Sequence, residues 1–145
     1  EPYRRQRQMC IRDRWKIATG LQVPYTQLID IQATKPFFVP KAESALVDDG
    51  KGYRVYHYNR AEGSRDFEFF NSELDTGASF TSEGHGTHTR ESVLVTAGEL
   101  VLVLETVEYV MAEGDFIQFD SSRPHTYINR GEVMTVFTNI VYYEG

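Results

Sequence analysis

Gly77-Ala78-Ser79-Phe80-Thr81-Ser82-Glu83-Gly84-His85-Gly86-Thr87-His88-Thr89-Arg90-Glu91-Ser92-Val93-Leu94-Val95-Thr96-Ala97-Gly98 is the stretch whose reading decides the fold. It opens and closes on turn signals, Thr76-Gly77 and Ala97-Gly98, and ends in the β-branched run Ser92–Thr96. Outward from it, short segments rich in β-branched and aromatic residues recur on both sides: Tyr53–Tyr58 and Asp66–Leu74 before it, and Leu100–Leu104, Val107–Met111, Phe116–Phe119, Thr126–Ile128 and Met134–Tyr143 after it. Asp49-Gly50, Glu62-Gly63, Glu113-Gly114 and Arg130-Gly131 supply further turns. Evenly spaced short strands with no helical stretch between them predict an all-β sandwich or barrel. No internal repeat or low-complexity tract interrupts the pattern.

At 145 residues the chain is long enough for one domain with a core and an appendage. Its 41% hydrophobic and 25% charged residues exclude a disordered chain, and no apolar run approaches the length of a membrane span. The start does not read as a signal peptide. The single cysteine, Cys10, leaves no intrachain disulfide and fits a cytoplasmic protein. Residues 1–16 hold six basic side chains against Glu1 and Asp13, a formal +4, which leaves −10 on the rest of a chain of net charge −6. So acidic a body does not attract nucleic acid by itself.

A second stretch completes the first. Gly114 is followed eleven residues on by His125 and four further on by Asn129, while His85 is followed by Glu91 and, six residues intervening, Gly98. Together the two stretches resemble the paired motifs of the cupin family. That resemblance implies a small antiparallel barrel, a double-stranded β-helix or jelly roll, whose corners need glycine. His85, Glu91 and His125 would converge at its mouth, two imidazoles and a carboxylate that could hold Zn, Fe, Mn or Ni with open positions. Tyr127 would join them in contacting a ligand. The family's ligand set has one more histidine. Thr87 stands in its place, and His88, one residue on, points the other way in an extended segment. Asp120 and Ser122 also depart from the family's proline and glycine. The alternative roles are structural. His85 and His125 would hydrogen-bond within a polar cavity, Glu91 would be a carboxylate at the barrel mouth, and His88 would face solvent. His57 would be an ordinary strand residue, and Phe116, Phe119 and Tyr127 would be barrel core.

Upstream, Trp15, Ala18 and Leu21 recur at helical spacing, Gly20 suits a helix end and Pro24 a helix start. The run Trp15-Lys16-Ile17-Ala18-Thr19-Gly20-Leu21-Gln22-Val23-Pro24-Tyr25 resembles the end of an XRE-type, phage-repressor-like helix-turn-helix domain. Met9-Cys10-Ile11-Arg12-Asp13-Arg14 resembles translated sequencing-adapter sequence. The expected organisation is a non-native scar over 1–14, the last two helices of the helix-turn-helix domain over 15–31, a linker over 32–49 and a cupin domain over 50–145. In that order the chain is similar to bacterial sulfur-utilisation regulators, truncated at the front. The resemblance implies a homodimeric transcriptional regulator, not an enzyme. A small-molecule effector in the barrel would alter operator binding, and this chain, lacking the recognition helix, would not read DNA specifically. The competing readings are a metal-dependent cupin enzyme, a dioxygenase or isomerase, and a metal-free binding or dimerisation module.

Overall fold

A computed structural model describes residues 36–59 and 66–144, together with Gly20. The segment expected as a scar and the helix pair expected over 15–31 lie outside them, Gly20 apart, as does the turn at Glu62-Gly63. The chain divides into two compact units, Glu1–Phe38 and Val39–Gly145. Among the described residues, ten strands fall in the second unit. They are β1 (Ala45–Asp48), β2 (Tyr53–Asn59), β3 (Phe67–Leu74), β4 (Ser79–Ser82), β5 (Thr89–Ala97), β6 (Leu100–Leu104), β7 (Val107–Met111), β8 (Phe116–Asp120), β9 (His125–Ile128) and β10 (Thr135–Tyr143). No helix of the described residues is long and apolar enough to cross a membrane.

The strands make two antiparallel sheets. One has six strands in the order β1-β2-β3-β10-β5-β8, the other four in the order β4-β9-β6-β7. This is the expected cupin barrel, with alternate residues buried along β9 and β10. Along β10, Thr135, Phe137, Asn139 and Val141 are buried, and along β5 so are Glu91, Val93 and Val95. The buried faces supply the core: Leu74, Val93, Val95, Leu100, Leu102, Phe119, Tyr127 and Phe137. Each such aliphatic or aromatic side chain stabilises the fold by about 1.5–3 kcal/mol through removal from water.

Three expectations need correction. The stretch 32–49, read as a linker, carries a one-turn 3₁₀ segment at Lys41–Glu43 and strand β1, which pairs with β2 from Ala45 opposite His57 to Asp48 opposite Arg54. All four residues of β1 are exposed, so this edge strand lacks the alternation by which strands are recognised. Strand β4, Ser-Phe-Thr-Ser, is too short and polar to stand out, and it is held by pairing with β9. Phe116 is not core. It lies 63% exposed on β8, whose inward positions are Ile117 and Phe119.

Asn129, the last residue of the second motif, is buried at a chain reversal. Its amide donates to the carbonyls of Leu74 and Val133 at 3.0 and 2.8 Å, and its side-chain oxygen accepts from the Gly131 N–H at 2.9 Å. It satisfies backbone groups that would otherwise be buried unpaired.

Candidate metal centre

Two strands and one loop carry the centre. Strand β9 aims His125 and Tyr127, two residues apart, at the interior, and β5 aims Glu91 at them from the opposite sheet. His85 arrives on the loop between β4 and β5. Its N–H donates to the Ser121 carbonyl at 2.9 Å. Gly84 beside it has φ +98°, and a Cβ there would stand 2.6 Å from the Ser122 carbonyl oxygen. Only glycine lets this loop lie so close to the 121–122 turn.

The three ligating atoms lie within 4.8 Å of one another. His85 Nε2 is 3.0 Å from Glu91 Oε2, and His125 Nε2 is 3.5 Å from the same oxygen. Glu91 Oε1 is occupied differently. Tyr127 donates its hydroxyl to it, and the Asn139 amide donates at 2.9 Å. Behind Asn139, Ser72 Oγ donates to Asn139 Oδ1 at 3.0 Å, and Tyr53 OH lies 3.2 Å from Ser72 Oγ. Because the serine proton is committed to Asn139, the tyrosine is the donor to Ser72.

Burial would push the Glu91 carboxyl up. The contacts with His125 and His85 and the donors Tyr127 and Asn139 outweigh it and hold the carboxyl down at about 2. Burial would likewise lower the pKa of His125, but Glu91 and the Arg123 carbonyl raise it above the ordinary imidazole value. Burial first, and the Glu91 charge second, keep Tyr127 protonated and therefore a donor.

The donor set fits a divalent cation. His125 Nδ1 lies 3.0 Å from the Arg123 carbonyl, which can only accept, so Nδ1 carries a proton. That leaves Nε2, buried and without a hydrogen bond, directed at the Glu91 oxygen that His85 also faces. A proton at this Nε2 is what a cation would replace.

Of the residues read from the sequence, His85, Glu91, His125 and Tyr127 come together here. Thr87 and His88 do not. Both are exposed, and His88 turns away at φ 60°. They line a cavity of about 550 Å³ with Arg90, Gln118, Phe119, Asp120 and Glu144, and none of the four converging residues is part of its lining. Asn139, Ser72 and Tyr53 went unread. A signal existed for Asn139, a polar residue at an inward position between Phe137 and Val141. His57, read as an ordinary strand residue, instead faces Glu68, with Nε2 3.4 Å from Oε1.

Residues 70–141 match the family model of the cupin domain. Over 131 residues the chain is 28% identical to the HTH-type transcriptional regulator SutR of Escherichia coli, covering 89% of this chain and 69% of that one. It superposes on the cupin domain of an XRE-family transcriptional regulator from Enterobacter cloacae with a TM-score of 0.62 at 22% identity, covering 65% of this chain and 99% of that one. An HTH_3-family transcriptional regulator from Vibrio cholerae gives a TM-score of 0.63 at 22% identity, with coverages of 93% and 72%. The fold is also that of a predicted oxalate decarboxylase from Thermotoga maritima, at a TM-score of 0.61, 19% identity and coverages of 74% and 99%.

Proposed function

Because residues 70–141 are a cupin domain related to those of XRE-family transcriptional regulators, we propose that this chain is the effector-sensing part of such a regulator. The observation that carries the reading is the convergence of His85, Glu91 and His125 on one point inside the barrel, with Glu91 Oε1 capped by Tyr127 and Asn139. These three side chains would hold a divalent cation through His85 Nε2, Glu91 Oε2 and His125 Nε2. Such a cation supplies positive charge and open positions for the oxygens of a small acid. The protein's own part is orientation. The Asn139 and Tyr127 bonds leave Glu91 one free oxygen, and the Arg123 carbonyl fixes the His125 tautomer.

Sensing requires that the acid favour one of two states of the protein. In this reading, occupancy of the barrel alters a homodimer of the intact cytoplasmic regulator and thereby its hold on an operator. The similarity to SutR supports that role for the whole protein. The test is a thermal-shift screen of the chain against zinc, iron, manganese and nickel, each with and without small carboxylic acids. A midpoint raised by one metal, and raised again by an acid, in the wild type and not in His125→Ala, supports the sensor. A metal-dependent cupin enzyme would use the same three donors, and consumption of the bound acid would support that reading instead.

A further inference from the structure

The outer face of the six-stranded sheet is apolar at positions where a solvated face carries polar and charged residues. Leu46, Tyr56, Asn71, Thr138, Leu94 and Phe116 form one row across all six strands. Directly paired residues share a face, and Val93 and Val95, on either side of Leu94, point into the core, so this row points out. The next row is Phe69, Ile140, Ser92 and Gln118. In the third, Phe67 and Tyr142, with ring centroids 6.2 Å apart, stand beside Arg90 and Asp120. Phe116 is 63% exposed and Leu94 40%.

No charged residue stands in the first two rows, in a chain of which 25% is charged. Charges begin at the borders and are matched there. On one side Arg54 lies 3.2 Å from Glu73, and Lys41 lies 2.7 Å from the same carboxylate. On the other Arg90 lies 2.9 Å from Glu144. Depletion of charge at the centre of a patch, with aromatic residues enriched and a polar rim, is what marks an interface. Six strands about 4.8 Å apart and three rows about 6.8 Å apart span roughly 29 by 20 Å, or roughly 600 Å² before side-chain relief is counted. A standard interface takes about 800 Å² from each partner, so the face is of the size a dimer needs. Its neutrality selects a second copy. Residues 17–145 carry a formal −10, and two such bodies repel unless they meet on a surface without charge.

We propose that two copies of this chain meet on the outer face of the six-stranded sheet, packed sheet against sheet, with Leu94 and Phe116 desolvated between them. This rests on the homodimer of the reading above and names its surface. The metal centre is separate from it, since Glu91 on β5 and Asn139 on β10 point to the opposite face of the sheet.

The test is sedimentation analysis of the 145-residue chain across the micromolar range, repeated on Leu94→Glu and Phe116→Glu. The wild type should sediment as a dimer. Each variant brings two like charges into the contact, one from each copy, and should weaken it about 100-fold or more, leaving a monomer. Val110→Glu, at a 61% exposed apolar position of the four-stranded sheet, should leave the dimer intact. Leu94 and Phe116 are exposed in the single chain, so the variants should fold, which circular dichroism checks. Leu94→Gln and Phe116→Gln are read in place of a glutamate variant that does not fold. A dimer that survives both variants, or that Val110→Glu dissolves equally, overturns this surface and leaves the homodimer. A wild type that stays monomeric overturns both. A monomer that zinc still stabilises keeps the metal centre and loses only the dimer.

Discussion

Asn139 donates its side-chain amide to Glu91 Oε1 at 2.9 Å, and this bond decides which carboxylate oxygen is free. Tyr127 takes the other lone pair of Oε1, so Oε2 alone faces the two imidazoles. The amide cannot flip, because its own oxygen accepts from Ser72. A run of hydrogen bonds from Tyr53 through Ser72 and Asn139 therefore fixes Glu91 as a ligand through one oxygen.

Replacing Asn139 by Leu removes both ends of that arrangement and strands the Ser72 hydroxyl. The expected cost is about 1–3 kcal/mol of stability in urea denaturation. Zinc affinity, read by competition with a chelating dye, should fall by about 10–100-fold, the usual cost of losing a partner behind a metal ligand. An unchanged affinity would mean that Glu91 needs no such support.

The apoprotein should be most stable between about pH 4.5 and 6.5 as far as this cluster contributes. Glu91 is held at about 2 against an ordinary 4.5, so its contribution is present above 4.5 and fades as pH falls towards 2. His125 is raised above 6.5, so its contribution is complete below 6.5 and fades as pH rises through its folded value. Urea midpoints of chelator-treated protein should decline on both flanks, and His125→Gln should flatten the alkaline one. Zinc reverses that flank, since it replaces the His125 proton and its stabilisation grows with pH.

Gly84→Ala and Gly86→Ala separate two effects. Both glycines have positive φ, but only at Gly84 would a Cβ meet a neighbour, 2.6 Å from the Ser122 carbonyl, while nothing lies within 4 Å at Gly86. Gly86→Ala should cost about 1 kcal/mol from backbone strain alone. Gly84→Ala should cost about 2–3 kcal/mol and weaken zinc binding as well, because the loop carrying His85 must lift off the 121–122 turn. Equal losses in the two variants would refute the role given to that contact.

Much of the barrel was legible in the sequence because alternation and glycine turns are local. Leu100–Leu104 and Val107–Met111 are read to the residue, and their turn at Glu105-Thr106 is short. β1 and β4 were not, since one is exposed throughout and the other is a polar tetrapeptide, and both exist through pairing with distant strands. At the centre, His85, Glu91 and His125 were legible through their spacing. Asn139, Ser72 and Tyr53 were not, because they reach Glu91 across the sheet from positions 19 to 86 residues apart in the chain rather than through any motif. The row joining Asn71, Thr138 and Leu94 likewise exists only once β10 lies between β3 and β5.

The most direct test of the metal centre is a calorimetric titration of the metal-stripped 145-residue chain with zinc, repeated on His125→Ala. The wild type should bind one equivalent, and affinity should be about 100-fold weaker or lost in the variant, because His125 Nε2 is one of three donors on a single point. Absence of saturable binding, or equal binding by the variant, would contradict it.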